Sequence, residues 1–461
     1  MKLTLKNVGC LAEAVIEPAD LTVFCGANNT GKTYAMYVLW SVLRRQFSYT
    51  FPLIEKLASQ LKEQGEFTVS LDDIFGKHNL EQSFSDAVTQ HLPNLFGAPK
   101  KLFTQAHVKV SLDNDSLRHD LFNSQISIMA PTNEEENQYL RVILNKDSDK
   151  VTITLTNFNI PLEFSKGLIS NILIELLLAN FSTTAFLMPA ERSGLNIFYP
   201  ELDSSNALNV ALIRRIKRDN LDQNFLSNNI VVVQYAEPIQ DYLNFLRKLP
   251  KLEKGETAFH DIAENLQQDI TQVSYYIADD GTITIKPRSS EEDLGIHLTS
   301  STVKNFFGLW AYLETIAEKG DCLMIDEPEL NLHPDNQRLI ARLLVRLVNR
   351  GIKVVISTHS DYIVREINNM LMLGNDFPNR GKMEKTWGYD AAGIERLRVE
   401  QVAAYHFEEK QVLKIPISPE YGIEVASMDN AINRMNQSNS DIYFALQDAF
   451  HPVTTPEFIS E

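Results

Sequence analysis

Apolar and polar positions alternate through Met1–Val8 and again through Ala12–Ile16, the period of strands with one face in a core. Leu21-Thr-Val-Phe-Cys25 breaks that alternation. A short continuous apolar run suits a strand buried on both faces. The glycine-containing segment Gly26–Thr33 follows, and Tyr34–Leu43 then returns apolar residues at roughly helical spacing. The pattern predicts strand, turn and helix in that order. Three further short apolar runs end in polar tips: Thr184–Met188, Cys322–Ile325 and Lys353–Ser357. Between the first unit and these runs, the pattern predicts a helix over Leu53–Gln64 and strands over His107–Leu112 and Gln125–Met129. It also predicts a hairpin of Leu140–Leu144 with Val151–Thr156, an exposed loop over Asn133–Asn137 and a helix over Leu162–Asn180. Residues 201–270 read as polar and helical, with a break at Leu249-Pro-Lys251. Val273–Ile285 predicts a second hairpin around Asp279-Asp-Gly281, a strong turn signal. Apolar spacing predicts helices from Leu298–Thr302 to about Glu318 and over Asn336–Asn349. From about residue 376 onward, short helical and extended pieces are expected.

Buried strands, each followed by a helix, indicate an α/β fold. A length of 461 residues suggests two or three domains, or one large domain with insertions. Hydrophobic residues make up 44% and charged residues 22%, the balance of a globular chain rather than a disordered one. Lys and Arg number 43 against 60 Asp and Glu, a net charge of −17. That charge argues against a protein that coats nucleic acid with its whole surface. One dense basic cluster, Arg214, Arg215, Lys217 and Arg218, leaves room for a local groove, although the solvated face of a helix explains it as well. Cys10, Cys25 and Cys322 are widely spaced and odd in number. A disulfide framework or zinc site is not expected, and a reducing cytoplasm is. Met1–Cys10 has no signal-peptide pattern. The longest apolar stretch, Gly167–Phe181, is short and carries Glu175, so it reads as a core helix rather than a membrane span.

Candidate chemistry sits on the strand tips. Gly26-Ala27-Asn28-Asn29-Thr30-Gly31-Lys32-Thr33 matches the GxxxxGK[ST] phosphate loop, with its strand before and its helix after. Its backbone N–H groups and the helix N-terminus suit phosphate oxygens. Lys32 is expected to reach the β- and γ-phosphates of ATP, and Thr33 to ligate Mg²⁺. Ile325-Asp326-Glu327 ends an apolar strand in two carboxylates. Asp326 is expected to hold Mg²⁺, and Glu327 to act as general base. His359, at the tip of Val354–Thr358, is placed to sense a γ-phosphate.

Together with Leu298-Thr-Ser-Ser-Thr302 and Ile325-Asp-Glu-Pro-Glu-Leu-Asn-Leu-His-Pro334, these segments resemble an ABC-type P-loop ATPase head. The resemblance is to the branch that includes Rad50, RecF and the overcoming-lysogenization-defect (OLD) proteins. Within it, the acidic segment and Thr358-His-Ser-Asp-Tyr-Ile-Val-Arg-Glu-Ile-Asn-Asn369 look like the ATPase subunits of bacterial antiphage systems, PARIS first and Septu less closely. The resemblance implies that two protomers sandwich ATP. Ser300 and Ser301 of one would touch the nucleotide held by the other, and Asn331–His333 would form a dimer-facing loop. Ser300-Ser301 departs from the LSGGQ signature, with no glycine after the serine. Pro189–Gly194 stands where a Gln-loop is expected, and has no Gln, leaving Glu191 and Arg192 as the candidate residues there.

The phosphate loop and the signature lie about 270 residues apart, so insertions are expected, and they show no sustained heptads of the kind that build a long coiled-coil arm. The expected layout is head residues 1–45, a mixed insertion 46–181, a Gln-loop-like segment 182–200, a helical insertion with a hairpin 201–290, head residues 291–375 and an extension 376–461. No TOPRIM-like acidic pattern follows the head. The function expected is therefore that of an ATP-hydrolysing sensor or scaffold subunit in the cytoplasm, self-associating into a homo-oligomer. It would control a separately encoded nuclease, TOPRIM-like or HNH-like, in response to a phage-derived trigger. The alternatives are a RecF- or Rad50-like DNA-repair ATPase and a scaffold that binds ATP but barely hydrolyses it.

Overall fold

A computed structural model describes residues 1–44, 52–74, 80–131, 139–155, 184–200, 235–255, 257–390 and 392–450, with isolated positions between 166 and 202. The loop expected at Asn133–Asn137, nearly all of the helix expected at Leu162–Asn180 and the basic cluster Arg214–Arg218 lie outside these residues.

Among the described strands are β1 (Lys2–Val8), β2 (Leu11–Ile16), β3 (Leu21–Gly26), β4 (Glu66–Ser70), β5 (His107–Ser111), β6 (Ile126–Pro131), β7 (Tyr139–Leu144), β8 (Lys150–Leu155) and β9 (Ala185–Met188). They continue with β10 (Val273–Ile277), β11 (Ile283–Pro287), β12 (Leu294–Gly295), β13 (Cys322–Asp326), β14 (Lys353–Thr358), β15 (Val402–Glu408) and β16 (Gln411–Ile415). Nine of them form one sheet in the order β5-β1-β2-β16-β15-β3-β14-β13-β9. From β15 to β9 all neighbours are parallel. On the other side, β15 pairs antiparallel with β16, and β1 pairs antiparallel with both β2 and β5.

The burial patterns explain this division. Every residue of β3, β9 and β13 is buried, as parallel strands covered on both faces require. β1 and β5, in the antiparallel half, alternate over most of their length. Side chains of the central strands divide between two cores. Phe24, Met324 and Val355 pack with helix α1 (Lys32–Arg44) on one face. Val23, Ile325 and Ile356 pack on the other with α2 (Ser301–Thr315), α3 (Pro334–Asn349) and α4 (Asp361–Leu373). The short helix α5 (Arg380–Trp387) and the long α6 (Ala426–Phe450) complete the part used below.

The hairpin expected at Val273–Ile285 is β10–β11, closed by Ala278 N–H donating to Thr282 at 3.0 Å. The second expected hairpin is β7–β8, inside a separate four-stranded antiparallel sheet. Two features depart from the sequence layout. β5 comes from the expected insertion and β15–β16 from the expected extension, yet all three belong to the nine-stranded sheet. β15 lies directly against β3, the strand that leads into the phosphate loop. Sequence patterning gives a strand's period but not its neighbours, so its place in the sheet was not readable. The tail also holds α6, 25 residues long, where short pieces were expected.

Candidate active site: a phosphate loop facing two carboxylates

The parallel strands β3, β13 and β14 end at one edge of the sheet, where their three polar tips meet. Such an edge is where ligands bind in open α/β sheets. Gly26 ends β3 with φ 143°, and a Cβ there would lie 2.2 Å from the Phe407 carbonyl oxygen of β15. Gly31 has φ 101°, and a Cβ there would strike Leu11 at 2.6 Å. Both positions therefore require glycine for conformation and for space. Asn29 takes a left-handed φ of 62°, which asparagine tolerates.

Lys32 is buried, and its ammonium donates to the Gly26 carbonyl at 3.0 Å and the Ala27 carbonyl at 2.8 Å. Burial holds its pKa below the usual lysine range, opposed by the nearby Asp326, Glu327 and Glu329. Thr33 Oγ1 donates to Asp326 Oδ2 at 2.9 Å, linking the phosphate loop to the acidic strand tip. Ser357, in register with Asp326 on the neighbouring strand, donates to Asp326 Oδ1. Burial nevertheless raises the Asp326 pKa, with the Ser357 and Thr33 hydrogen bonds acting against the rise.

Glu327 has a left-handed φ of 52°. That conformation costs on the order of 1–3 kcal/mol for such a residue and persists only where its surroundings fix it. Here its N–H donates to the Ser357 carbonyl at 3.1 Å, and its own carbonyl accepts from Arg192 at 2.7 Å. The turn aims its carboxylate at His359, with Oε1 3.2 Å from Nε2. The His359 contact holds the Glu327 pKa below the usual carboxylate range against the effect of burial. Glu329 fixes the histidine from behind: Oε1 accepts from the His359 N–H at 2.6 Å and from Thr358 Oγ1 at 2.9 Å. Burial raises the Glu329 pKa.

These groups line a cleft of about 540 Å³ formed by Cys10, residues 28–34, Asp326, Glu327 and His359. Residues 1–364 match the AAA ATPase domain family, well over half of the chain. This chain belongs to that family. No curated protein matches this AAA ATPase. Among solved structures it is similar to an SMC head bound to the C-winged helix domain of ScpA, with 11% identity over 90% of this chain and 97% of the other, TM-score 0.33. It is also similar to the SMC head domain from Thermotoga maritima, with 10% identity over 90% and 98%, TM-score 0.31. A third is the Smc head from Pyrococcus furiosus with an extended coiled coil, with 12% identity over 95% and 98%, TM-score 0.31. The sheet and phosphate loop described above give this AAA ATPase the architecture of an ABC-type head with mixed α+β insertions. Its longest described helix has 25 residues, so the described residues hold no long coiled coil.

Of the residues singled out from sequence, the cleft of the AAA ATPase gathers Asn28 to Thr33, Asp326, Glu327 and His359, with Gly26 and Ala27 contacting Lys32 at its base. Ser300 and Ser301 are exposed and lie outside its lining. Ser300 caps α2 instead, accepting from the Val303 N–H at 3.3 Å. Glu191 is exposed and also outside the lining.

Arg192 departs from the nucleotide contact expected of it. It is 1% exposed, and its guanidinium donates to the carbonyls of Pro189 at 3.2 Å, Asp326 at 2.6 Å and Glu327 at 2.7 Å. It ties the segment after β9 to the acidic tip, acting as a backbone clamp. Nothing in its sequence context separates a clamp from a ligand contact, because both need a donor beside the acidic strand.

Cys10 and Tyr34 line the cleft without having been singled out from sequence. The Tyr34 ring packs against Phe96 with centroids 4.9 Å apart, and a Cβ on Gly9 would fall 2.5 Å from it. Cys10 arrives on the β1–β2 turn, and only the sheet brings that turn to the loop.

Proposed function

We propose that this AAA ATPase binds ATP with Mg²⁺ and hydrolyses it, as the sensor and scaffold subunit of a two-component antiphage system. The observation that carries the nucleotide reading is the meeting of Lys32, Thr33, Asp326, Glu327 and His359 in one cleft. The donor set fits the ion: a hydroxyl and a carboxylate are the hard oxygen ligands that Mg²⁺ takes. Thr33 and Asp326 would hold it, and when bound it would neutralise charge on the phosphates. Lys32 would exchange its two carbonyl partners for phosphate oxygens. Glu327, ionised and pointed across the cleft, would accept a proton from the attacking water. His359, held by Glu329, would orient Glu327 and meet the γ-phosphate.

In this reading the cleft is one half of a nucleotide sandwich. The exposed Ser300 and Ser301 would close over ATP held by a second protomer, and Asn331–His333 would face that protomer. The domain layout follows from this: head segments interrupted by two insertions, with the tail's β15–β16 hairpin counted in the head. One feature supports assigning the effector step to a separately encoded nuclease, TOPRIM-like or HNH-like: the resemblance of the Asp326–Pro334 and Thr358–Asn369 segments to antiphage ATPases.

Expression with the product of the neighbouring gene tests the reading. Co-purification of a nuclease, ATP-dependent assembly and protection of cells against phage are expected. A chain that purifies alone and protects no cell overturns the defence role. Turnover stimulated by duplex DNA, with binding that weakens steeply as salt rises, would favour the RecF- or Rad50-like DNA-repair alternative.

A further inference from the structure

Helix α6 spans 25 residues, a length of about 37 Å at 1.5 Å per residue. Every residue from 433 to 447 is exposed, so among the described residues no side chain of this stretch is buried against the rest of the chain. A lone helix in water is marginal, and most helix stability in proteins comes from packing an apolar face. No ladder of charge pairs stands in for that packing: Arg434 and Asp441 are the only charged residues between 433 and 447.

Of the six exposed large apolar side chains on this helix, Phe444 stands on the outer face, 62% exposed, and the other five line one face with a period. Met435, Ile442 and Leu446 are 64%, 61% and 50% exposed. With Asn439 they step by four, three and four residues, the d-a-d-a seam of a heptad. A single Asn at an a position is the device that fixes register and strand number in paired helices. The flanks are also patterned. Tyr443 and Phe450, 54% and 75% exposed, hold e positions, and Ser438 and Ala445 hold g positions.

We propose that α6 pairs with α6 of a second copy of this chain, parallel and in register. In a parallel pair each g position faces the partner's e position five residues further on. Ser438 then meets the partner's Tyr443, and Ala445 meets the partner's Phe450, small against large each time. An antiparallel pair would set ring against ring and leave the small residues facing one another. No e or g position from Asn436 to Phe450 carries a charge, so two copies of a chain with net charge −17 avoid repulsion along this seam. Buried aromatic rings cover about 150–250 Å² each. Four of them with the aliphatic seam reach the roughly 1,000 Å² that a specific interface needs.

This contact uses no residue of the nucleotide cleft and stands independently of the proposed function. Light scattering on the full chain without nucleotide is expected to give a dimer at micromolar concentration. Ile442→Glu combined with Leu446→Glu is expected to halve that mass. Both positions are exposed in the single chain, so the protomer's fold should survive. Under mild oxidation, Asn439→Cys is expected to form a disulfide-linked dimer, because a parallel pair sets each a residue against its own copy. Gln437→Cys, on the outer face, should give no more than the background from the exposed Cys10. A monomeric natural chain, a dimer that survives the double substitution, or equal cross-linking at 437 and 439 overturns the proposal. Nucleotide binding measured on the same variants separates the two readings: lost dimer with retained ATP affinity concerns α6 alone.

Discussion

The nucleotide cleft and the α3–α4–α5 layer both bury carboxylates, with opposite results. In the layer, Glu366, Glu384 and Glu395 are each 1–2% exposed at the side chain and each faces a guanidinium. Glu366 accepts from Arg338 at 2.8 Å and from Arg342 at 2.6 Å, and Arg342 also stacks 3.9 Å over the Tyr389 ring. Arg346 holds Glu395 at 2.6 Å, and Arg396 grips Glu384 through both oxygens at 2.6 and 2.9 Å. Burial pushes the Glu366 pKa up, yet its two arginines outweigh burial and leave it lowered. In the cleft, hydroxyl and backbone donors make the direct hydrogen bonds to the Asp326 and Glu329 carboxylates; burial outweighs them and the more distant charges of Arg192 and His359, and both pKa values rise. The lesson concerns what neutralises a buried charge. Where the protein supplies the full countercharge, the pair holds helices together. Where the direct partners are dipoles and the cations stand further off, the cost of burial is left only partly offset.

The largest expected effect is at Lys32. Lys32→Ala removes charged hydrogen bonds worth about 1.5–3 kcal/mol each, so calorimetry should show nucleotide affinity lost by at least about 100-fold. Unchanged affinity would remove the functional half of the comparison. Glu327→Gln keeps the shape and deletes the base. Turnover should fall about 10²- to 10⁴-fold, with an ATP-bound oligomer accumulating. A full-rate variant would leave Glu327 no role as base.

Glu366→Ala tests the structural half. Breaking a buried pair costs about 3–5 kcal/mol, visible as a lower Tm with nucleotide affinity retained. The sign of its pH dependence follows from the lowered pKa. Stability from Glu366 is complete above its ordinary value of 4.5 and is lost as pH falls through the depressed folded value. The smallest expected effect is at His359. His359→Ala removes the contact that holds the Glu327 pKa down. The acid limb of the rate profile should then move to higher pH, and an unmoved limb would mean that another group titrates there.

Much of the cleft was legible because its parts are local. Gly26–Thr33 needs glycines where the chain turns back on itself, and a strand and helix on either side, all within one short segment. Asp326 and Glu327 stand at the end of an apolar run that could only be a buried strand. Glu329 and Ser357 lie inside segments that sequence picks out, but their partners are separated by 30 and 31 residues and met through the β13–β14 register. The roles of Arg192, Cys10 and Tyr34 were not legible, since each depends on which distant segment stands opposite.

The sequence alone determined the local chemistry: a phosphate loop, an acidic strand tip, a histidine tip, and the apolar periods of the strands and helices that carry them. These follow from backbone geometry and side-chain period, which act over a few residues. Tertiary structure alone decided that β15, nearly 380 residues beyond β3, lies beside it and supplies the carbonyl that makes Gly26 obligatory. It also decided that Arg192 clamps the acidic turn, and that among the described residues the side chains of α6 from 433 to 447 stay exposed. Those outcomes depend on which surfaces meet, and burial rewards apolar area without specifying the segment that covers it.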